Sequence, residues 1–319
     1  MIKKIKTLVT CVVLLQLQAC DNSNKEESCL NVVPTLTSES KLFGGVNQNI
    51  SLSEDSGNRL AIACHNCYDN SRLEYQDTLV KIEAAIEEGV DLIELDVIQE
   101  NKLNSKAVIS HGGNFNGLSY EGVSFEKVIE SEILTNASQI LFIEIKDKIE
   151  SKAHIRSILN MLNKQRNSSG DSAYFRAERF TIIRSSRHYE TLSNFRDVLS
   201  EDEFVDIQPY LKLSRLYLNQ SHNAMTSDVY QAYQCGLDMV EFDIKTNTDT
   251  ISLLSDYAKA LGIAVNVFTL NEENYKPSIN ELKHNVDIVT VSTEVNNKKF
   301  ENEISIYARV KKLIEYGEG

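Results

Sequence analysis

From Arg59 onward the chain keeps returning to short runs rich in Val, Ile and Leu, and this recurrence limits its fold more than any other feature. The runs are Leu60–Cys64, Leu92–Val97, Ala107–His111, Ile140–Lys146, Phe180–Arg184, Phe204–Ile207, Met239–Ile244, Ala264–Leu270 and Ile288–Val291. Amphipathic stretches such as Thr78–Glu88 and Ile251–Leu261 lie between them, the second followed by the helix-stopping Gly262. Strand–helix alternation through one long domain predicts a parallel sheet covered by helices, and at this length a closed α/β fold, the (β/α)8 TIM barrel. Nine runs exceed the eight places of such a barrel, and the link from Val97 to Ala107 is too short for a crossover helix. An irregular connection between the second and third strands is therefore expected, with one run outside the barrel. GVDLIELDV and GLDMVEFDI are alike, a likeness that reads as two buried parallel strands.

The segment before Arg59 is of another kind. Lys3, Lys4 and Lys6 make a positive start, Thr7–Ala19 is uncharged and mostly apolar, and Leu17-Gln18-Ala19-Cys20 resembles the lipobox at which bacterial lipoproteins are cleaved and acylated. The apolar stretch is too short to span a bilayer, so a processed signal fits better. The expected organisation is a signal peptide over 1–19, then a lipidated Cys20 with a polar tether and lead-in over 20–58, and a barrel domain over 59–319. The protein is expected to be exported and held on the periplasmic or cell-surface side of a membrane by the lipid on Cys20. Losing the three leader lysines takes the formal charge from −13 to −16, which argues against nucleic acid or an anionic membrane surface as a non-specific partner. A phosphate-bearing substrate would then need a local cation. Of the remaining cysteines, Cys29, Cys64, Cys67 and Cys235, export permits oxidation, but the pairing is not legible. Cys64-His65-Asn66-Cys67 lacks the second pair that a structural zinc site requires.

Polar residues gather where the apolar runs end. The first run leads into His65, the second carries Glu94 and Asp96, the third ends in His111, and the fourth carries Glu144 and Lys146. Side chains alternate faces along a strand, so Glu94 and Asp96 point one way, as do Glu144 and Lys146. At the C-terminal mouth of a barrel these groups would converge. Three carboxylates are hard oxygen ligands for Mg2+ or Ca2+. Lys146 supplies a point charge for a phosphoryl oxygen, and His65 and His111 suit acid–base work near neutral pH. Glu241 and Asp243 repeat the Glu94/Asp96 spacing with no histidine following, and read as pocket lining or structure.

Taken in order, these motifs resemble the glycerophosphodiester phosphodiesterases of the phospholipase-C-like barrel superfamily. That family has a first His in an HRG motif, a GAD-x-IELDV strand, a second His, an EIK strand, and near its end a WTVN segment and a GVDGIITD-like strand. Here His65, GVDLIELDV, His111 and FIEIK stand in the same order; AKALGIAVNVFTLN and NVDIVTVS match the last two, over roughly residues 60–292. The resemblance implies a divalent cation, Ca2+ or Mg2+, on Glu94, Asp96 and Glu144. It also implies His65 and His111 as the acid–base pair, Lys146 on the substrate phosphate, and Phe268 and Asn271 in the substrate pocket. The implied substrate is a small phosphodiester or lipid headgroup, cleaved to glycerol 3-phosphate and an alcohol. The chain departs from the family at Asn66, where an Arg is usual, and at Cys67 and Gly112. His-Asn followed by His-Gly resembles instead the calcium-dependent phosphoinositide phospholipases C, which makes Asn66 a candidate fourth ligand. It also leaves two further readings: cleavage of a lipid or inositol phosphodiester through a cyclic phosphate, or a binding lipoprotein that has lost catalysis.

Overall fold

A computed structural model describes residues 60–68, 74–101, 106–111, 119–149, 151–166, 169–176, 179–185, 189–217, 222–292, 294–295, 298–299 and 306–316. The proposed signal peptide, Cys20 and tether lie outside the described residues.

Eight strands close a ring: β1 (Ala61–Cys64), β2 (Leu92–Gln99), β5 (Ile140–Ile145), β6 (Thr181–Ser185), β7 (Leu211–Tyr217), β8 (Met239–Asp243), β9 (Ala264–Leu270) and β10 (Ile288–Val291). All neighbours in the ring are parallel, and β1 pairs with both β10 and β2, so the barrel has no open edge. Helices cover the outside. In Tyr75–Glu87, Thr78, Leu79, Ile82 and Ala85 form the buried stripe, and the helix stops at Gly89, whose φ of 78° is left-handed.

The irregular connection is a hairpin. Because β1 ends at Cys64, opposite Ile93, the edge of β2 above that point is free. β3 (Ala107–Ile109) takes it antiparallel, with Val97 opposite Ile109 and Gln99 opposite Ala107, and β4 (Val123–Ser124) pairs onto β3. The third run therefore stands outside the barrel.

One expected strand is absent. Phe204–Ile207 forms a short 3-10 turn, with the Phe204 N–H donating to the Glu201 carbonyl (2.9 Å) and the Ile207 N–H to the Phe204 carbonyl (3.0 Å). Phe204 and Ile207 are buried while Val205 is exposed, which is a spacing of three rather than two. The barrel's fifth strand is instead the unrecognised LKLSRLY of β7. By lateral pairing with Ile182, Arg184 and Glu241, its inward positions are Lys212, Ser214 and Leu216, too polar to read as an apolar run.

The likeness of GVDLIELD and GLDMVEFD has a structural cause, which NVDIVTV shares. At the foot of β2, Asp91 donates its N–H to the Ile62 carbonyl (2.8 Å) and accepts from the Ile62 N–H (2.9 Å). Its own carbonyl takes the Ile140 N–H on the other side (3.0 Å). Asp238 clasps Leu213 and Ala264 in the same way at the foot of β8, and Asp287 clasps Val265 and Ala61 at the foot of β10. Each aspartate thus sews its strand to both neighbours where the ladder would otherwise begin with unpaired backbone groups.

Inside, the barrel is layered. Ala61, Ala63, Leu92, Ile140, Phe142, Phe180, Ile182, Met239, Ala264 and Ile288 fill the lower part. Above them the inward positions are mostly polar: Glu94, Asp96, Glu144, Arg184, Ser214, Glu241, Asn266 and Thr290, all buried, with Leu216 beside Glu241. The functional groups therefore sit on a dry apolar floor at the C-terminal mouth.

Candidate active site

Strand register builds the acidic centre. Asp96 pairs laterally with Glu144, Glu144 with Arg184, and Arg184 with Ser214, so one row crosses four strands. Glu94 sits two residues below Asp96 on the same inward face. Ligand oxygens of Glu94, Asp96 and Glu144 all lie within 4.8 Å of one another, and the three residues are at most 3 % exposed.

The donor set fits a hard divalent cation. Asp96 Oδ1 and Asn66 Oδ1 are buried and have no hydrogen-bond partner. Orphaned buried oxygens are costly unless something positive meets them. Asn66 reaches the centre because it adopts a left-handed φ of 51°, which Asn tolerates better than most residues, and its N–H donates to Glu94 Oε2 (3.2 Å). The turn carrying His65 and Asn66 is closed at its base by a disulfide between Cys64 and Cys67, whose Cα atoms are 5.7 Å apart. The pair therefore binds itself rather than a zinc ion.

The remaining groups surround this centre. Lys146 Nζ lies 2.9 Å from Glu144 Oε1 and 3.2 Å from Asp96 Oδ2. Burial works against its ammonium, but the two carboxylates outweigh that and hold its pKa above the ordinary lysine value. Burial, reinforced by the Asp96 charge and resisted by Lys146, pushes the Glu144 carboxyl up to about 7. Burial, with Arg184, Lys146 and His111 close by, pushes the His65 imidazole down to about 3, so it is neutral at physiological pH. His111 arrives by the hairpin. β3 runs back toward the barrel, the Ser110 N–H donates to the Asp96 carbonyl (3.1 Å), and His111 Nε2 comes to 4.0 Å from Asp96 Oδ2 with its side chain 56 % exposed. The two residues expected in the substrate pocket lie at the end of β9 and in the turn after it. Phe268 is half-buried on β9, and Asn271 Oδ1 accepts from the Glu273 N–H (2.9 Å), shaping the turn after β9.

Three further residues belong to the centre. Tyr68 Oη donates to Asp96 Oδ2 (2.7 Å). Arg184, 1 % exposed, lies over the Phe142 ring at 4.7 Å and donates to Glu94, Glu144 and Glu241, the last at 2.9 Å. Glu241 is held in turn by Ser214 Oγ (2.5 Å) and Asn266 Nδ2 (2.7 Å), and Asn266 Nδ2 also donates to Thr290 Oγ1 (2.9 Å). Parity could have found Arg184, since counting by two from Ile182 puts it on the inner face beside Glu144; Glu241 is the residue whose spacing reads as pocket lining or structure. No periodicity marks Tyr68, which lies past the end of β1.

The arrangement so far defines a closed parallel barrel with a buried carboxylate centre, a lysine and two histidines at its C-terminal mouth. A scan against protein-family models finds no match, and neither does a search of curated proteins. Among solved structures, similarity extends to a chain from Galdieria sulphuraria assigned as a glycerophosphodiester phosphodiesterase. It is 17 % identical, with a TM-score of 0.50, over 74 % of this chain and 95 % of that one. The glycerophosphodiester phosphodiesterase of Thermotoga maritima is 18 % identical, with a TM-score of 0.47, over 74 % and 96 %. The ribulose-1,5-bisphosphate carboxylase/oxygenase of Pyrococcus horikoshii is 11 % identical, with a TM-score of 0.52, over 84 % and 60 %. The likeness to the Galdieria and Pyrococcus chains supports the barrel alone, a scaffold that hosts many chemistries, and the function must be argued from the site.

Proposed function

We propose that this chain is a metal-dependent phosphodiesterase that hydrolyses glycerophosphodiesters to glycerol 3-phosphate and an alcohol. The observation that carries this reading is the convergence of Glu94, Asp96 and Glu144, one Asp96 oxygen unpaired, with Lys146 in contact and His111 4.0 Å from Asp96. The order of motifs along the chain supports it independently. Glu94, Asp96, Glu144 and the Asn66 amide oxygen would hold Ca2+ or Mg2+, which when bound neutralises charge on the phosphoryl oxygens. Lys146 turns its ammonium to a non-bridging oxygen and supplies the local cation that an acidic chain needs to attract phosphate. His65, neutral and recessed, accepts a proton from the attacking water as its oxygen bonds to phosphorus; His111, on the open side, gives a proton to the alkoxide that leaves. Tyr68 and Lys146 keep Asp96 oriented meanwhile.

The test is a screen of the purified protein against glycerophosphodiesters with different headgroups, with Ca2+ or Mg2+ and with EDTA. The reading requires glycerol 3-phosphate as product and loss of turnover in EDTA; turnover that EDTA leaves unchanged excludes it. Asn66, standing where the family carries Arg and presenting an unpaired Oδ1, favours a second reading: attack by a neighbouring substrate hydroxyl, giving a cyclic phosphate. Phosphorus NMR of the products separates the two, since only the second yields a cyclic ester.

We further propose attachment to a membrane through a lipid on Cys20, on its periplasmic or cell-surface side. Cys20→Ser is expected to move the protein from the membrane fraction to the soluble one. Retention in the membrane would exclude the anchor.

A further inference from the structure

Four carboxylates, Glu94, Asp96, Glu144 and Glu241, share the upper layer of the barrel with two fixed cations, Lys146 and Arg184. Lys146 lies at the mouth, on the side from which substrate arrives. Arg184 lies beneath and is sealed, with the Phe142 ring under its guanidinium. Its position is unusual for a charge that pairs with presumed cation ligands, because it faces three strands at once. One terminal nitrogen meets both Glu94 on β2 and Glu144 on β5, and the other meets Glu241 on β8. Glu241 is itself immobilised by Ser214 on β7 and Asn266 on β9, and Asn266 by Thr290 on β10. A chain of hydrogen bonds thus runs from the far wall of the barrel, through the guanidinium, to two carboxylates of the proposed cation centre.

We infer that Arg184 is a positioning residue. Anchored by Glu241, it holds Glu94 and Glu144 at the spacing a divalent cation requires, so that the site is formed before the cation arrives. This rests on the reading of Glu94, Asp96 and Glu144 as cation ligands. The planar fork of arginine is essential to the role, since a lysine offers a single ammonium that cannot bridge three carboxylates in fixed geometry. The charge count explains why the device is compatible with cation binding at all. With all four carboxylates ionised, the state a bound cation favours, four carboxylates less two cations leave two negative charges, which one divalent ion balances, so Arg184 organises the site without filling it.

The same count supplies a test. Removing Arg184 and Glu241 together leaves three carboxylates and one lysine, again two negative charges, so a change in cation affinity in Arg184→Met/Glu241→Gln reports geometry rather than net charge. Parent, both single variants and the double variant are first unfolded thermally in EDTA. Arg184→Met is expected to be strongly destabilised, because it strands buried carboxylates, and the double variant to recover most of the loss. Additive losses would overturn the anchor. Calcium or magnesium chloride alone is then titrated calorimetrically into parent and double variant. The affinity of the folded double variant is expected to fall at least about tenfold, the order seen when groups that orient metal ligands are removed. Arg184→Lys, which keeps charge without the fork, is expected to fold yet bind no better than the double variant. Parent-like affinity in either folded variant overturns the proposal. If the parent takes up neither ion, it is the cation reading that fails, and the denaturation cycle alone then decides whether Glu241 anchors Arg184.

Discussion

His65 and Lys146 share one small volume yet lean in opposite electrostatic directions. Burial drives the imidazole to its uncharged form, whereas two carboxylates keep the ammonium charged against burial. The site therefore presents a fixed positive charge and a proton acceptor side by side. In the metal-free protein the His65 ring resonances are expected to stay at neutral-form shifts from pH 8 down to pH 5; a midpoint near 6.5 by NMR would contradict the burial argument. His65→Ala and His111→Ala are each expected to reduce turnover at least about a hundredfold, the scale of general acid–base groups, with melting temperatures near the parent's. Parent-level rates in either variant would remove that histidine from the mechanism. Glu94, Asp96, Glu144 and Lys146 were legible in the sequence because each pair shares a strand face within a recognisable run. Arg184 also ends a recognised run, but it has no second polar residue on its face of the strand to mark it as part of a site. Tyr68 and the orphaned Asn66 oxygen depend on a turn conformation, which residue types alone do not specify.

At the scale of the element, the two devices that matter are the β2–β3 hairpin and the aspartate clasps. Ser110→Pro removes the N–H that joins β3 to the Asp96 carbonyl. It is expected to lower turnover at least about tenfold while calorimetry shows cation binding unchanged, because the proposed ligands sit on barrel strands and on the turn after β1. Among the clasps, Asp238 offers a pH signature. Burial pushes its carboxyl from 3.8 up to about 6, against Lys212 and the Leu213 N–H. Between those values the folded chain holds a proton that the unfolded chain has released, so this group's contribution to stability is largest below about pH 4 and declines toward pH 6. Asp238→Asn removes the slope. Urea denaturation is expected to show the variant gaining about 1 kcal/mol on the parent between pH 4 and pH 7, less than the ~3 kcal/mol of a sealed site because Asp238 is partly exposed. Equal differences at both pH values would show that the carboxyl titrates normally. The hairpin was anticipated from a link too short for a helix. β7 was missed because its inward face carries Lys212 and Ser214, and the turn at Phe204–Ile207 was mistaken for it because a helical spacing of three leaves the same apolar residues in a short window.

For the whole molecule, closure of the ring makes the upper layer a rigid frame with an unbalanced charge. Saturating Ca2+ or Mg2+ is expected to stabilise the folded protein by about 2.7 kcal/mol at a hundredfold excess over the dissociation constant, a rise in melting temperature on the order of 5–10 °C that EDTA reverses. Glu94→Gln/Asp96→Asn is expected to abolish the rise; a rise that survives in this variant would place the ion elsewhere. The barrel was readable at this scale because parallel strands covered on both faces leave continuous apolar runs, and that signal survives local misreadings. The layering was less readable, since it belongs to eight strands considered together and each contributes only one or two polar positions.

The hairpin also divides the mechanics of the site. His65 follows a barrel strand and is tied down by the Cys64–Cys67 bridge, whereas His111 rides on an outboard arm that touches the barrel along one edge of β2. The ring of eight strands closes without that arm, which is held by the β2–β3 ladder and by the buried Ala107, Val108, Ile109 and Val123. On the proposed reading, the cation ligands Glu94, Asp96 and Glu144 belong to the ring of eight strands, whereas the proton donor His111 belongs to the hairpin beside it.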